Sequence, residues 1–177
     1  KLWHVSNAFQ IPEGEKLAKK LCQKTFADYV IFQNSGAEAT EAAIKVARRY
    51  FYSIGKPNKT RILCIRNSFH GRTLATIFAS GSKKMTEGFG YVGGFDHFDF
   101  GDHKSLKKKI TKNTAAIMIE TVLGEGGIKD DWTCIRLVAV IIWSSGMLHV
   151  YSDGFNIDES SVWCIAKPYP YNWFYAL

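Results

Sequence analysis

The chain has 177 residues, which is enough for one domain with a sizeable core. Hydrophobic residues make up 46% and charged residues 22%, a composition typical of a globular protein and not of a disordered one. No stretch approaches the roughly 18 apolar residues of a membrane span, so no membrane partner is expected. The net charge of +7 admits anionic partners of any size, from small acids to nucleic acid.

The basic residues do not favour nucleic acid among these partners. The lysine clusters at 19–20, 83–84 and 107–109 are short and lack interleaved aromatic residues, so we interpret them as solvated surface. The four cysteines are widely spaced, which predicts reduced thiols in a cytoplasmic protein and no metal site. A basic nucleic-acid-binding module remains the alternative from a different functional class.

Hydrophobic periodicity, together with glycine and proline positions, divides the chain into short alternating elements. In chain order the pattern predicts helix 12–24, strand 29–33, helix 37–51, strand 61–65, helix 72–79, loop 81–100, helix 106–112 and strand 115–119. This order predicts an α/β fold with a mostly parallel sheet and helices on both faces.

Polar segments follow each of the three predicted strands, at 34–39, 67–73 and 120–127. Ligands of parallel α/β sheets bind beyond the carboxyl ends of the strands, so we expect one site built from these segments. In the first segment, Ser35 and Gly36 begin a helix whose free N–H groups can bind an anion. An ordinary helix cap explains the same residues.

The second and third segments carry aromatic and charged side chains. Phe69 can stack on a planar ring and Arg72 can hold a carboxylate with two hydrogen bonds, although a core Phe and a solvated Arg fit equally well. His70 is a weak candidate base. Glu120 ends an apolar strand and therefore needs a partner, whereas Glu125 lies in a glycine-rich turn.

Taken together, four segments in order resemble the class III (subgroup II) pyridoxal-phosphate (PLP) aminotransferases: Leu2-Trp3-His4-Val5-Ser6-Asn7, 32–39, 67–73, and Glu120 with 124–127. The resemblance covers residues 1–129 and departs mildly at Glu120-Thr121, where the family has Glu-Pro. It implies the large domain of the PLP-dependent transferase fold (fold type I).

The resemblance also implies roles for individual residues. Ser35, Gly36 and Ala37 would hold the PLP phosphate, Phe69 would stack on the pyridine ring with His70 beside it, and Glu120 would lie near the cofactor. Arg72 would bind the substrate carboxylate, and Glu125 would help it switch between two amino-acid substrates. Ser6 and Asn7 would line the substrate entrance.

Residues 130–177 match poorly and hold four of the five tryptophans, with two basic against five acidic side chains. We hypothesise that reading-frame errors scrambled a continuation of the same domain, leaving Asp158 as the partner of the pyridine nitrogen. The Schiff-base lysine is expected roughly thirty residues further on. We therefore assign no catalytic residue, and expect a fragment, cut at both ends, that is inactive alone.

For the whole parent enzyme, the resemblance implies amino transfer from N-acetylornithine to 2-oxoglutarate in arginine biosynthesis. It would be a cytoplasmic homodimer with small amino and oxo acids as substrates and neither nucleic acid nor membrane as partner. The segment 3–7 favours N-acetylornithine as the amino donor. An ornithine or 4-aminobutyrate aminotransferase, or an aminomutase, remains the alternative within the family.

Overall fold

The computed structural model of the chain describes residues 5–6, 8–24, 28–120, 122–127, 129–130, 139–143 and 147–151. The elements of this part are, in chain order, α1 (Pro12–Lys24), α2 (Gly36–Ser53), β1 (Arg61–Ile65), α3 (Leu74–Ser80), α4 (Lys83–Thr86), β2 (Phe95–Phe98), α5 (His103–Lys109), β3 (Thr114–Ile119), β4 (Val122–Leu123), β5 (Lys129–Asp130), β6 (Ala139–Trp143) and β7 (Met147–Tyr151).

The main sheet has the strand order β2-β1-β3-β6-β7. Strands β2, β1, β3 and β6 are parallel, and β7 pairs with β6 in the antiparallel sense. Strands β4 and β5 form a separate antiparallel pair. The predicted mostly parallel sheet is therefore confirmed, and residues 139–143 and 147–151 extend it.

Helices cover both faces of the sheet, as predicted. On one face, Ile44, Ala47 and Phe51 of α2 pack with Ala79 of α3 against alternate residues of the central strands. On the other face, Leu106 of α5 belongs to a second cluster. The residues of this second cluster are Leu63, Ile65, Phe98, Leu106, Ile117, Ile119 and Leu123. Because β1 and β3 are buried on both faces, their sequences are continuous apolar runs.

Two predictions about local structure are wrong. Residues 29–33 form no strand: Tyr29 and Phe32 are largely exposed, and β-favouring residues need a neighbouring strand to pair with. The predicted loop 81–100 contains α4 and β2. The apolar residues of β2, Phe95 and Phe98, are three apart and so lack strand alternation, and its identity as a strand comes from its pairing with β1.

The helix after β2 begins earlier than the predicted residue 106. Asp102 caps it, because its carboxylate accepts a hydrogen bond of 2.9 Å from the Ser105 N–H. The helix ends at Lys109, and Ile110 is its C-cap. The helix predicted over 72–79 likewise shifts, to Leu74–Ser80, with Gly81 in the left-handed conformation at its end.

Two adjacent aromatic residues of α2 offer a test of the core. Phe51 is 1% exposed and Tyr52 is 60% exposed. We expect Phe51→Ala to lower the free energy of unfolding by about 4 kcal/mol, because the cavity it leaves cannot close. Tyr52→Ala is the matched control and should cost less than about 1 kcal/mol. Urea unfolding of the full polypeptide measures both, and equal losses would contradict the packing of α2.

Candidate functional site

Strands β1 and β3 place two of the polar segments side by side. The strands are parallel neighbours, with Leu63 opposite Ile117 and Cys64 opposite Met118. The chain that follows each strand therefore emerges at the same edge of the sheet. The prediction that residues 67–73 and 120–127 meet there is confirmed.

The N-terminus of α2 forms the third part of this edge. Ser35 is the N-cap: its hydroxyl oxygen accepts a hydrogen bond of 3.3 Å from the Glu38 N–H and donates one to the Glu38 carboxylate. Across the described residues, the N–H groups of Gly36 and Ala37 have no hydrogen-bond acceptor. Apart from the adjoining residues and the backbone of α2, no atom of the described residues lies within 4 Å of the space a side chain would take at Gly36. This helix end is open to an anion.

Close packing at Gly71 holds the segment 67–73 against the N-terminus of α2. Its φ is +122°, and a Cβ there would lie 2.7 Å from the Ala37 Cβ and 2.9 Å from the Ala37 Cα. Only glycine tolerates both the conformation and the contact. The segment after β1 thus lies directly on the first turn of α2.

The Phe69 ring is held at the site through its own backbone. The Phe69 N–H donates a hydrogen bond of 3.0 Å to the Glu120 carboxylate at the end of β3. The ring is 37% exposed, and the Arg72 guanidinium lies over it, 5.4 Å from the centroid. Burial raises the pKa of Glu120, the Phe69 N–H opposes that rise, and the negative charge of Glu125 adds to it.

Arg72 and Glu125 form an exposed ion pair. The Nη2 atom of Arg72 lies 3.5 Å from Oε1 of Glu125, and the two side chains are 68% and 52% exposed. Such a pair contributes little to stability, and a carboxylate from solution can replace Glu125 on the guanidinium. The turn carrying Glu125 is set by Gly126, whose Cβ position lies 3.0 Å from the Asn67 carbonyl oxygen.

The segments 67–73 and 124–127 border an open cleft of about 810 Å³, whose lining does not include the N-terminus of α2 or Phe69. Arg72 and Glu125 lie on its polar side, and Lys84 and Ser82 also line it. Its apolar residues are Leu74, Ile77, Met85 and Phe89. The volume of the cleft is within the range of small-molecule sites, although the cleft is open to solvent.

His70 is buried behind the site and does not face solvent as a base. It is 2% exposed, and its Nε2 lies 2.7 Å from the Ser68 hydroxyl. That hydroxyl donates a hydrogen bond to the Ile65 carbonyl oxygen at 2.7 Å, so it accepts a hydrogen bond from a protonated Nε2 of His70. Nδ1 is a buried acceptor without a partner in the described part of the chain. Burial lowers the pKa of His70 to about 4, with a smaller contribution from His97.

The structure brings together seven of the residues singled out from the sequence: Ser35, Gly36, Ala37, Phe69, Arg72, Glu120 and Glu125. Ser6 is exposed, and its hydroxyl accepts from the Ala8 N–H at 3.3 Å. Asn7 and Asp158 lie outside the described residues. The sequence analysis gave no role to Ser68, although its spacing of two from His70 was a possible signal.

The lysine clusters at 19–20, 83–84 and 107–109 are exposed, as predicted. Among the described cysteines, Cys64 is buried and Cys22 is partly buried, and both are free thiols. Within the part of the chain that the structure describes, no group of three His, Cys, Asp or Glu side chains could hold a metal ion. No helix of the described residues is long and apolar enough to cross a membrane.

Residues 1–132 match the sequence profile of the family described as aminotransferase class-III. The chain belongs to the class-III aminotransferases. Acetylornithine aminotransferase of Agrobacterium fabrum is 59% identical over 130 residues, which are 73% of this chain and 33% of that protein. The chain thus spans about a third of this relative's length.

Two further comparisons extend this result. Acetylornithine aminotransferase of Brucella melitensis is 51% identical over 150 residues, 84% of this chain and 37% of that protein, so the similarity continues past residue 132. The fold matches the Toxoplasma gondii ornithine aminotransferase, whose structure shows partial occupancy of PLP at its active site. Its TM-score is 0.69 at 24% identity, over 77% of this chain and 36% of that one. The predicted fold type is confirmed, and the reading-frame hypothesis for residues 130–177 stays a prediction.

Gly71 provides a test of how the site is assembled. We expect Gly71→Ala to lower the free energy of unfolding by about 3 kcal/mol, because the new methyl group overlaps Ala37 and the backbone is strained. Gly124→Ala is the matched control, since no atom lies within 4 Å of its Cβ position. Urea unfolding of the full polypeptide measures both changes. A Gly71→Ala protein as stable as Gly124→Ala would mean that the segment is not held against α2.

The buried His70 predicts a loss of stability in acid. Its pKa is about 4 in the folded chain and about 6.5 when unfolded, so the unfolded chain binds more protons between these values. The free energy of unfolding should therefore fall as the pH drops through that window, by about 3 kcal/mol for this group. His70→Gln should remove this part of the pH dependence in urea unfolding at pH 7.5 and pH 4.5. Parallel losses in both proteins would contradict the buried neutral state.

Proposed function

We propose that this chain is the cofactor-phosphate and carboxylate-binding part of a PLP-dependent aminotransferase that moves an amino group from N-acetylornithine to 2-oxoglutarate, in arginine biosynthesis. The observation that carries the proposal is the meeting, at one sheet edge, of an open helix N-terminus, an exposed aromatic ring and a guanidinium. These are the three features that a phosphate, a flat ring and a substrate carboxylate require.

The residues present fit PLP on grounds that are independent of family membership. The free N–H groups of Gly36 and Ala37 and the positive end of α2 suit a dianionic phosphate, and space is open beside Gly36. PLP supplies the electron sink that amino transfer needs.

Each residue then has a definite task. Ser35, Gly36 and Ala37 bind the phosphate, with the Ser35 hydroxyl turning from the Glu38 carboxylate to donate. Phe69 covers one face of the ring and keeps water from it. Glu120 holds the Phe69 backbone through a hydrogen bond, so its role near the cofactor is to orient the Phe69 side chain.

His70 and Arg72 have separate tasks. His70 stays neutral near pH 7, so its task is to hold neighbouring groups in position by hydrogen bonding and not to transfer a proton. Arg72 binds the carboxylate of either substrate. Glu125 pairs with the Arg72 guanidinium when no substrate is bound, and it leaves the guanidinium when a substrate carboxylate arrives. This exchange supports the switch between two amino-acid substrates.

The choice of N-acetylornithine is supported by the names of the two curated relatives, at 59% and 51% identity. We further propose that the whole protein is a cytoplasmic homodimer whose ligands are small amino and oxo acids, with Asn7 at the substrate entrance and Asp158 beside the pyridine nitrogen. Gel filtration with light scattering tests the dimer, and fractionation of source cells tests the location.

The full-length polypeptide that contains this chain, supplied with PLP, tests the activity. It should transfer amino groups to 2-oxoglutarate with a higher kcat/KM from N-acetylornithine than from ornithine or 4-aminobutyrate. A preference for 4-aminobutyrate would contradict the proposed substrate and leave the reaction class standing. Absence of transfer from all three donors would contradict the reaction class itself.

Arg72→Lys tests the carboxylate clamp. Lysine keeps the positive charge and loses the planar pair of donors, so KM for both substrates should rise roughly thirtyfold, or about 2 kcal/mol. Arg66→Lys is the matched control. Arg66 directly follows β1, the strand that also precedes the segment of Arg72, and it pairs with Asp99 at 3.3 Å. A similar KM change in both variants would show that the effect is not specific to Arg72.

A further inference from the structure

The hydroxyl of Thr73 makes an unexpected contact. Thr73 is the N-cap of α3 and has the extended backbone usual at that position, yet its side chain accepts no hydrogen bond from a backbone N–H of the helix. Within α3 its hydroxyl contacts that of Thr76, at 3.0 Å. Its hydroxyl instead donates to the carboxylate of Glu41, on α2. Because the usual cap would stabilise α3 by about 1 kcal/mol, the cross-helix contact replaces a local interaction of similar size.

Glu41 and Ala37 lie on the same face of α2, one turn apart. Ala37 is the residue against which Gly71 packs, and Glu41 is the one that Thr73 reaches. Arg72 therefore lies between two residues that are each anchored to α2, one by close packing and one by a charge-assisted hydrogen bond. The helix whose N-terminus is open to a phosphate also sets the position of the guanidinium.

Side-chain contacts alone do not set the position of Arg72. Its guanidinium is largely exposed and touches the Phe69 ring and the exposed Glu125. Thr73 is additionally held by Thr76, whose hydroxyl donates to the Thr73 carbonyl oxygen at 3.0 Å. The backbone on either side of Arg72 is thus more constrained than its side chain, and that backbone aims the guanidinium.

We propose that Glu41 is a positioning residue that acts through the Thr73 hydroxyl to aim Arg72 at the substrate carboxylate. The inference rests on the proposed function. A misplacement of about 1 Å can cost a factor of ten or more in binding or rate, so loss of this contact should be visible in the carboxylate affinity. The phosphate site at Ser35 and Gly36 should keep its affinity, because it does not depend on the Thr73 hydroxyl.

The experiment compares Thr73→Val, which loses the hydroxyl at nearly constant shape, with Thr73→Ser, which keeps it. The probe is glutarate, which has the two carboxylates of 2-oxoglutarate without its reactive carbonyl, and calorimetry of the full-length, PLP-loaded protein measures its binding. Thr73→Val should weaken glutarate binding roughly tenfold and raise KM for both substrates by the same factor. Its kcat and its affinity for PLP should stay within about twofold, and Thr73→Ser should resemble the wild type.

Glu41→Gln provides a second variant that keeps the shape and an acceptor oxygen but loses the charge. It should weaken glutarate binding by less than Thr73→Val does. Thr111→Val is the matched control, since Thr111 has a hydroxyl near Thr114 at the opposite end of β3, and it should bind glutarate as the wild type does.

Three results would overturn the inference: wild-type glutarate binding by Thr73→Val, equal weakening by Thr73→Val and Thr73→Ser, or loss of PLP affinity in parallel with glutarate affinity. If Thr73→Val does not fold, wild-type glutarate binding by Glu41→Gln overturns it. Failure of the proposed function looks different, because the wild-type protein itself would then neither bind glutarate nor transfer an amino group.

Discussion

The close approach of Gly71 to the first turn of α2 is the constraint on which the site depends. With 2.7 Å between the position of a Cβ at Gly71 and the Ala37 Cβ, no other residue fits there. This contact joins the chain after β1 to the N-terminus of α2. It places the N-terminus of α2 beside the segment that carries Phe69 and Arg72. The parallel pairing of β1 with β3 adds the third segment.

The charged groups at this edge of the sheet follow the order of the three segments along the chain. The open end of α2 is positive, Arg72 lies beyond it, and the two carboxylates, Glu120 and Glu125, come from the β3 side. Glu120 is half-buried and accepts a hydrogen bond from the Phe69 N–H, whereas Glu125 is exposed and pairs with Arg72. Two carboxylates five residues apart thus lie in different environments, and burial raises the pKa of Glu120.

The segments after β1 and β3 were predictable because each combines a strand end with polar residues, whereas the segment at Ser35 was predictable as the start of a helix. The ligand roles of Ser35, Phe69, Arg72 and Glu120 stay predictions. The missed features depend on contacts between distant residues. Strand β2 lacks alternation and exists through its pairing with β1. The Thr73 contact joins residues 32 apart in the chain, and the burial of His70 follows from what packs around it.

The sequence by itself determined the α/β class with a mostly parallel sheet, the positions of β1 and β3, and the three polar segments, because hydrophobic runs and glycine positions are local properties. It also determined the resemblance that the family match confirmed. Only the tertiary structure decided how the segments meet. It showed that Gly71 lies on Ala37, that His70 is buried against Ser68, and that Glu120 accepts a hydrogen bond from the Phe69 N–H. Desolvation and close packing act between residues far apart in the chain, so no local pattern records them.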